Sequence, residues 1–252
     1  MRDGVRLSKT FFQTIRFFFD AQKIKFLFSV PAALLLLLGV YEHFCPFLVY
    51  ADTPDLQLLF SPRTAPVYIL AVLFLITGVT CRSMGLVLFG QGEKALYVPR
   101  VDRTYGRFLL ALAVSAAVSA LLSSALCALL MALIEQGVKA PPFPPQVKVM
   151  ITVAFIPYLM VRTGFCLTGA VAGEKISLVL SWRETGRLGF GYAVFYFTLF
   201  VAPIMVGLFL IRLYPESRMF VGFVLCLSLI VSGAFQGVFL AKLFAEAGKA
   251  EE

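Results

Sequence analysis

Two arginines stand inside apolar stretches of this sequence, Arg82 and Arg162, eighty residues apart. In low dielectric a guanidinium fork grips phosphate or carboxylate bidentately. The chemistry on offer is anion capture rather than bond making. Each arginine is followed by roughly ten apolar or small residues, on the order of 15 Å of helix, so neither ends a helix. A charge at that depth is costly unless it pairs, snorkels or faces a wet cavity. Three destinations are open to them. The two guanidiniums converge on an anion site for a lipid phosphate or acidic substrate; or they snorkel to inner-leaflet phosphates or cap carbonyls at a helix break; or they pair with Glu93 or Glu174.

Other reactive groups are scarce. The single histidine, His43, follows Glu42 with no Ser or Cys nucleophile beside it, which gives neither a triad nor a metal site. Membrane-depth segments lack paired carboxylates, against an acidic proton relay, and no phosphate-binding or dinucleotide-binding Gly loop occurs. Cys45, Cys81, Cys127, Cys166 and Cys226 are odd in number with no Cys-x-x-Cys pair, so they read as small core residues. No catalytic residue, metal or cofactor is expected.

The elements that must position the arginines are hydrocarbon-length helices. Of 252 residues 60% are hydrophobic and 14% charged, where a soluble domain carries about 25% charged. Uncharged runs at 26–41, 67–81, 108–134, 150–161, 188–211 and 219–240 approach or reach the roughly 20 residues that cross a bilayer. Their helical length without strict alternation excludes a transmembrane barrel. The reading is all-α: a polytopic helical bundle with six spans at 24–42, 66–91, 107–135, 148–173, 188–212 and 218–245. The first run lacks a small-residue cleavage site, so that helix is expected to be retained.

Charge assigns the sides. Segments 43–65, 136–147 and 213–217, with the residues at their edges, hold five basic and five acidic residues. The opposite side takes 17 of the 22 basic and nine of the 14 acidic ones. Lys and Arg excess marks the cytoplasmic face, so both termini are expected there. The formal charge of +8 then reflects topology and anionic headgroups rather than nucleic acid.

The arginines belong to an echo. GEKALYVPRVDRTYGR at 92–107 and GEKISLVLSWRETGR at 173–187 both open with Gly-Glu-Lys and close with Gly-Arg; Arg107 and Arg187 are again eighty apart, and QGVFLAKLFAEAGK at 236–249 is a weaker third copy with Gln236 in the arginine's place. At the N-terminus Phe11, Phe12, Ile15, Phe18 and Phe19 make an apolar stripe with Lys9, Gln13 and Asp20 turned away, the pattern of an interfacial helix. Three units of interfacial segment plus helical hairpin follow, about 7–91, 92–173 and 174–249, within one membrane domain over 1–252. In the second linker Ser181 and Glu184 fit a capping box that would start the helix into the fifth span. Trp182 and Tyr97 are expected at headgroup level. Ala111, Ser115, Ser119, Ser123 and Cys127 recur every four residues, a small-residue face for close helix packing.

The stretch RTGFCLTGAVAGEKISLVLSWRETGRLGFGYAVFYF at 162–197 resembles bacterial inner-membrane proteins of the YciC-like kind. It is also similar to the related membrane domain that precedes some glycerophosphodiester phosphodiesterases. The resemblance implies an architecture and no mechanism. The phosphodiesterase chemistry belongs to a separate soluble domain rich in His and carboxylates, and no counterpart of it is expected in residues 1–252. The expected function is a non-enzymatic, multi-pass inner-membrane protein that interacts with anionic lipid or supports a membrane complex. The alternative is a small transporter or permease subunit moving an anionic or lipid-like substrate, with Pro157, Gly164, Pro203 and Gly207 as places where helices could break.

Overall fold

The computed structural model describes residues 2–44, 48–50, 58–60, 65–90, 102–138, 158–159, 162–174, 178–213 and 218–248. Helix α1 is Arg2–Phe17 and α2 is Ala21–Phe44; a short antiparallel ribbon of β1, Leu48–Tyr50, and β2, Leu58–Phe60, pairs Val49 with Leu59. The helices α3 (Ala65–Phe89), α4 (Arg103–Val138), α5 (Gly164–Ala172), α6 (Leu178–Arg187), α7 (Gly189–Leu213) and α8 (Arg218–Gly248) follow. The ribbon falls in a segment read from sequence as a connection. Leu-Val-Tyr and Leu-Leu-Phe are apolar and aromatic triplets suited to short paired strands.

Among the described residues five helices are long and apolar enough to cross a bilayer: Ala21–Leu38, Ile69–Phe89, Arg103–Ala132, Gly191–Leu213 and Phe220–Glu246. This fits a multi-pass helical membrane protein. The expected span at 148–173 lies largely outside the described residues. Only Tyr158–Leu159 and the part from Arg162 onward are seen, the latter carrying α5.

Local signals account for the helix ends. Asp20 caps α2, its carboxylate accepting from the Gln22 N–H at 3.1 Å, and Asp102 caps α4 through the Tyr105 N–H at 2.7 Å. The latter cap starts α4 at Arg103, ahead of the expected 107. Gly90 ends α3 at φ +61° and Gly173 ends α5 at φ +86°, the left-handed conformation that glycine adopts without steric penalty.

The chain forms two compact units. The first holds Met1–Ser8 and Asp102–Phe197, the second Lys9–Val101 and Thr198–Glu252. In the first, α4 packs on α5. Ser115, Ser119, Ser123 and Cys127 are buried while Leu110, Leu121 and Leu129 on other faces are exposed. The small-residue stripe is thus the packing face, with Ala111 partly buried at its end.

In the second unit α8 is the central helix, with 61% of its span buried against 11% for that of α7. Its Gly233 and Gly237 admit α3. A Cβ at 233 would come 2.5 Å from Thr80 Oγ1, and one at 237 would strike Ser83 Oγ and lie 2.8 Å from the Thr80 carbonyl. This is the Gly-x-x-x-Gly device of membrane helices. Leu35, Val72, Leu75, Val79, Cys226, Ile230 and Ala234 fill the core around the contact, and Ser232 Oγ donates to the Phe200 carbonyl at 2.7 Å, fastening α7 to α8.

Candidate functional site

Arg162 marks an interruption of its helix. The Thr163 N–H still reaches the Leu159 carbonyl at 3.2 Å, but the Cys166 N–H bonds Thr163 at 3.0 Å, one residue short of the α-helical partner. Thr163 stands at φ −94°, ψ 1° and opens α5 without a side-chain cap bond. The tightened turn deprives the Arg162 carbonyl of its helical donor.

That carbonyl is satisfied from α6. Ser181 Oγ donates to it at 3.0 Å. Thr185 Oγ1, one turn on, lies 3.1 Å from it while also within 2.8 Å of the Ser181 carbonyl. Both hydroxyls are buried. This corrects the expected capping box: α6 begins at Leu178, so Ser181 lies inside the helix. The acceptor it serves is nineteen residues back, because an orphaned buried carbonyl is expensive to leave unpaired.

The guanidinium sits in aromatic surroundings. Nε and Nη2 donate to the Tyr158 hydroxyl at 3.1 and 2.6 Å. The Tyr158 and Trp182 ring centroids lie 5.0 and 6.0 Å from Cζ, within cation–π range. Nη1 is buried and has no hydrogen-bond partner among the described residues. Gly186 makes room for it, since a Cβ there would lie 3.4 Å from Nη1. No ion pair joins Arg162 to Glu174 among the described residues; Glu174 is exposed and its N–H bonds the Gly169 carbonyl at 2.9 Å. The opening Gly of the second Gly-Glu-Lys is therefore a helix stop, in a Schellman arrangement.

Arg82 occupies a different setting. It is partly buried between Cys81 and Ser83 on the unbroken α3, and it is not an isolated charge. Its helix ends at Gly90, two residues before the Gly-Glu-Lys at 92–94. Glu93, Lys94, Tyr97 and Pro99 lie outside the described residues, as do the side chains of Glu42 and His43. The two arginines belong to different units and each is described in its own.

Residues that the sequence reading did not single out form a basic cluster on the second unit. Arg16 of α1, Lys23 of α2 and Lys242 of α8 line one cavity. Lys23 Nζ is 3.1 Å from Asp20 and holds that carboxyl below the usual range. Lys242 Nζ donates to the Gln13 carbonyl at 2.7 Å. Together with the Thr10 hydroxyl donating to Glu246 at 3.1 Å and Phe18 against Phe235 at 4.0 Å, this docks α1 on α8. The expected amphipathic stripe is thus divided: Phe11, Ile15 and Phe18 are partly buried, whereas Phe12 is 67% and Phe19 82% exposed.

Five helices long and apolar enough to cross a bilayer fit a multi-pass helical membrane protein, and one of its arginines, Arg162, sits beside two aromatic rings. No protein-family model, curated protein or solved structure matches the chain.

Proposed function

We propose that this chain is a non-enzymatic, multi-pass protein of a bacterial inner membrane that binds anionic membrane lipid, alone or as the accessory part of a membrane complex. In this reading six helices cross the bilayer in three hairpin units, both termini are cytoplasmic, and the chain is kin to the YciC-like proteins. One observation carries the lipid assignment: Arg162 commits two guanidinium nitrogens to the Tyr158 hydroxyl and buries the third without a partner among the described residues. A buried charged donor without an acceptor is costly, and a phosphate oxygen supplies one. The neighbouring α6 favours a lipid as the source. Its hydroxyls face inward while Val179, 79% exposed, and Trp182 face out, as suits a helix at the headgroup boundary.

The test is Arg162→Ala, alone and with Arg82→Ala, in protein purified in mild detergent. Copurifying anionic phospholipid should fall in both variants while helix content and monodispersity stay unchanged. Unaltered lipid content in the double variant would sink the anion site and leave both arginines as membrane anchors.

A second reading, a transport subunit for an anionic or lipid-like substrate, is favoured by the interruption at Arg162 and Thr163, since broken helices build transporter sites. Anion flux into proteoliposomes that Arg162→Ala abolishes would establish it over a binding-only role.

A further inference from the structure

The cluster at the end of α1 has the makings of a second anion site. Arg16, Lys23 and Lys242 come from three helices and share a cavity of about 500 Å³ with Asp20, Phe17 and Phe19. Its one carboxylate, Asp20, is engaged by Lys23 at 3.1 Å. Lys242 uses one N–H on the Gln13 carbonyl at 2.7 Å, which leaves two of an ammonium's three donors. The one carboxylate of α8, Glu246, accepts from Thr10 at 3.1 Å. Arg16 is exposed and makes no ion pair among the described residues. Three cations crowd a cavity around one committed carboxylate, and like charges at close range repel. An anion seated among them removes that repulsion.

The shape of α1 says which anion. Lys9, Phe12 and Arg16 recur at i, i+3 and i+7, one outward stripe of α1, Phe19 follows in the turn that ends it, and all four are exposed. A soluble anion would leave two phenyl rings in water. A bilayer surface takes the rings into the acyl boundary and offers phosphates to the cations. Basic pockets between spanning helices take phospholipid heads in this manner. We infer that the cavity formed by Arg16, Lys23 and Lys242 binds the phosphate of an anionic membrane phospholipid, with α1 lying along the headgroups beside it. This rests on the lipid-binding reading of the chain but on none of the Arg162 geometry.

The experiment uses the full chain in phosphatidylcholine nanodiscs containing a minor fraction of headgroup-photoactivatable phosphatidylglycerol, with adducts mapped by peptide mass spectrometry. Adducts are expected on residues 9–25 and 236–246, falling about fivefold for each charge removed in Arg16→Gln, Lys23→Gln and Lys242→Met, and persisting in Lys242→Arg and in excess inorganic phosphate. If Lys242→Met fails to fold, the double variant Arg16→Gln, Lys23→Gln, which leaves α8 untouched, must still lose adducts by the same factor per charge. Equal labelling in all variants overturns the site. Loss of labelling under inorganic phosphate overturns the lipid as its source. Adducts confined to α6 would overturn this pocket while supporting Arg162, and adducts on α1 that survive Arg162→Ala would show the two sites to be separate.

Discussion

Arg82 and Arg162 stand at equivalent places in two stretches of similar sequence, yet their backbones differ. Around Arg82 the helix runs unbroken to Gly90, and the adjacent helix turns face two glycines of α8. Thr80 and Ser83 keep their hydroxyls on carbonyls of their own helix, at 2.7 and 2.8 Å. Around Arg162 the helix tightens, releases a carbonyl, and takes two hydroxyls from α6 in exchange. Gly186 lies against the Arg162 guanidinium, whereas its counterpart Gly106 has no atom of the other described residues within 4 Å of where a Cβ would stand. Where neighbouring backbones pack through glycines an arginine helix stays regular. Where hydroxyls reach a carbonyl across the unit, an interruption becomes stable.

That contrast can be broken from either side. The largest effect is expected for Gly237→Leu, since even the first side-chain carbon would strike Ser83 and the Thr80 carbonyl. Overpacking of this kind costs roughly 1–3 kcal/mol, sometimes more, and backbone on one side leaves little room to relax. Thermal unfolding in detergent should show a sharply lowered midpoint, and an unchanged midpoint would mean that α3 and α8 are not packed as described.

Next comes Ser181→Ala with Thr185→Val, which strands the Arg162 carbonyl. The expected loss is about 1–3 kcal/mol. Ser83→Ala, whose hydroxyl lies 3.4 Å from the Ala234 carbonyl but has a closer partner in its own helix, should cost about 0.6 kcal/mol, typical of a hydrogen bond between membrane helices. Equal losses in the two experiments would dissolve the distinction between the regions.

The smallest change sharpens the comparison. Gly90→Ala and Gly173→Ala each force a side chain into the left-handed region, at φ +61° and +86°, for about 1 kcal/mol. At Gly173 the new carbon would meet Arg107 Nη1 only at ordinary contact distance, 3.6 Å, and the space at Gly90 is open among the described residues, so the two losses should be similar. A loss at 173 well above that at 90, by the same unfolding measurement, would show that the left-handed turn at Gly173 is more tightly held than its contact with Arg107 accounts for.

How far the sequence could be read follows from the range of each signal. The spanning helices, the amphipathic α1 and the small-residue face of α4 were legible because helical periodicity and segment hydropathy are local quantities. Asp20, Asp102 and the Gly233–Gly237 pair carry equally local signals, and Asp102 as a cap places the start of α4 at Arg103. Ser181 misled because a capping-box pattern says nothing of a buried acceptor elsewhere. The basic cavity was hidden for a related reason: Arg16 and Lys242 are 226 positions apart, and no spacing rule joins them.

The sequence by itself therefore determined that this chain needs a hydrocarbon solvent, which helices are long and apolar enough to enter it, and that arginines stand within two of the apolar stretches. Tertiary structure alone decided what surrounds each cation. Whether a carbonyl is orphaned, which hydroxyl reaches it, and which three cations share a cavity all depend on how helices far apart in the chain pack together. The free energy of a buried charge or carbonyl is set by those neighbours rather than by its place in the chain.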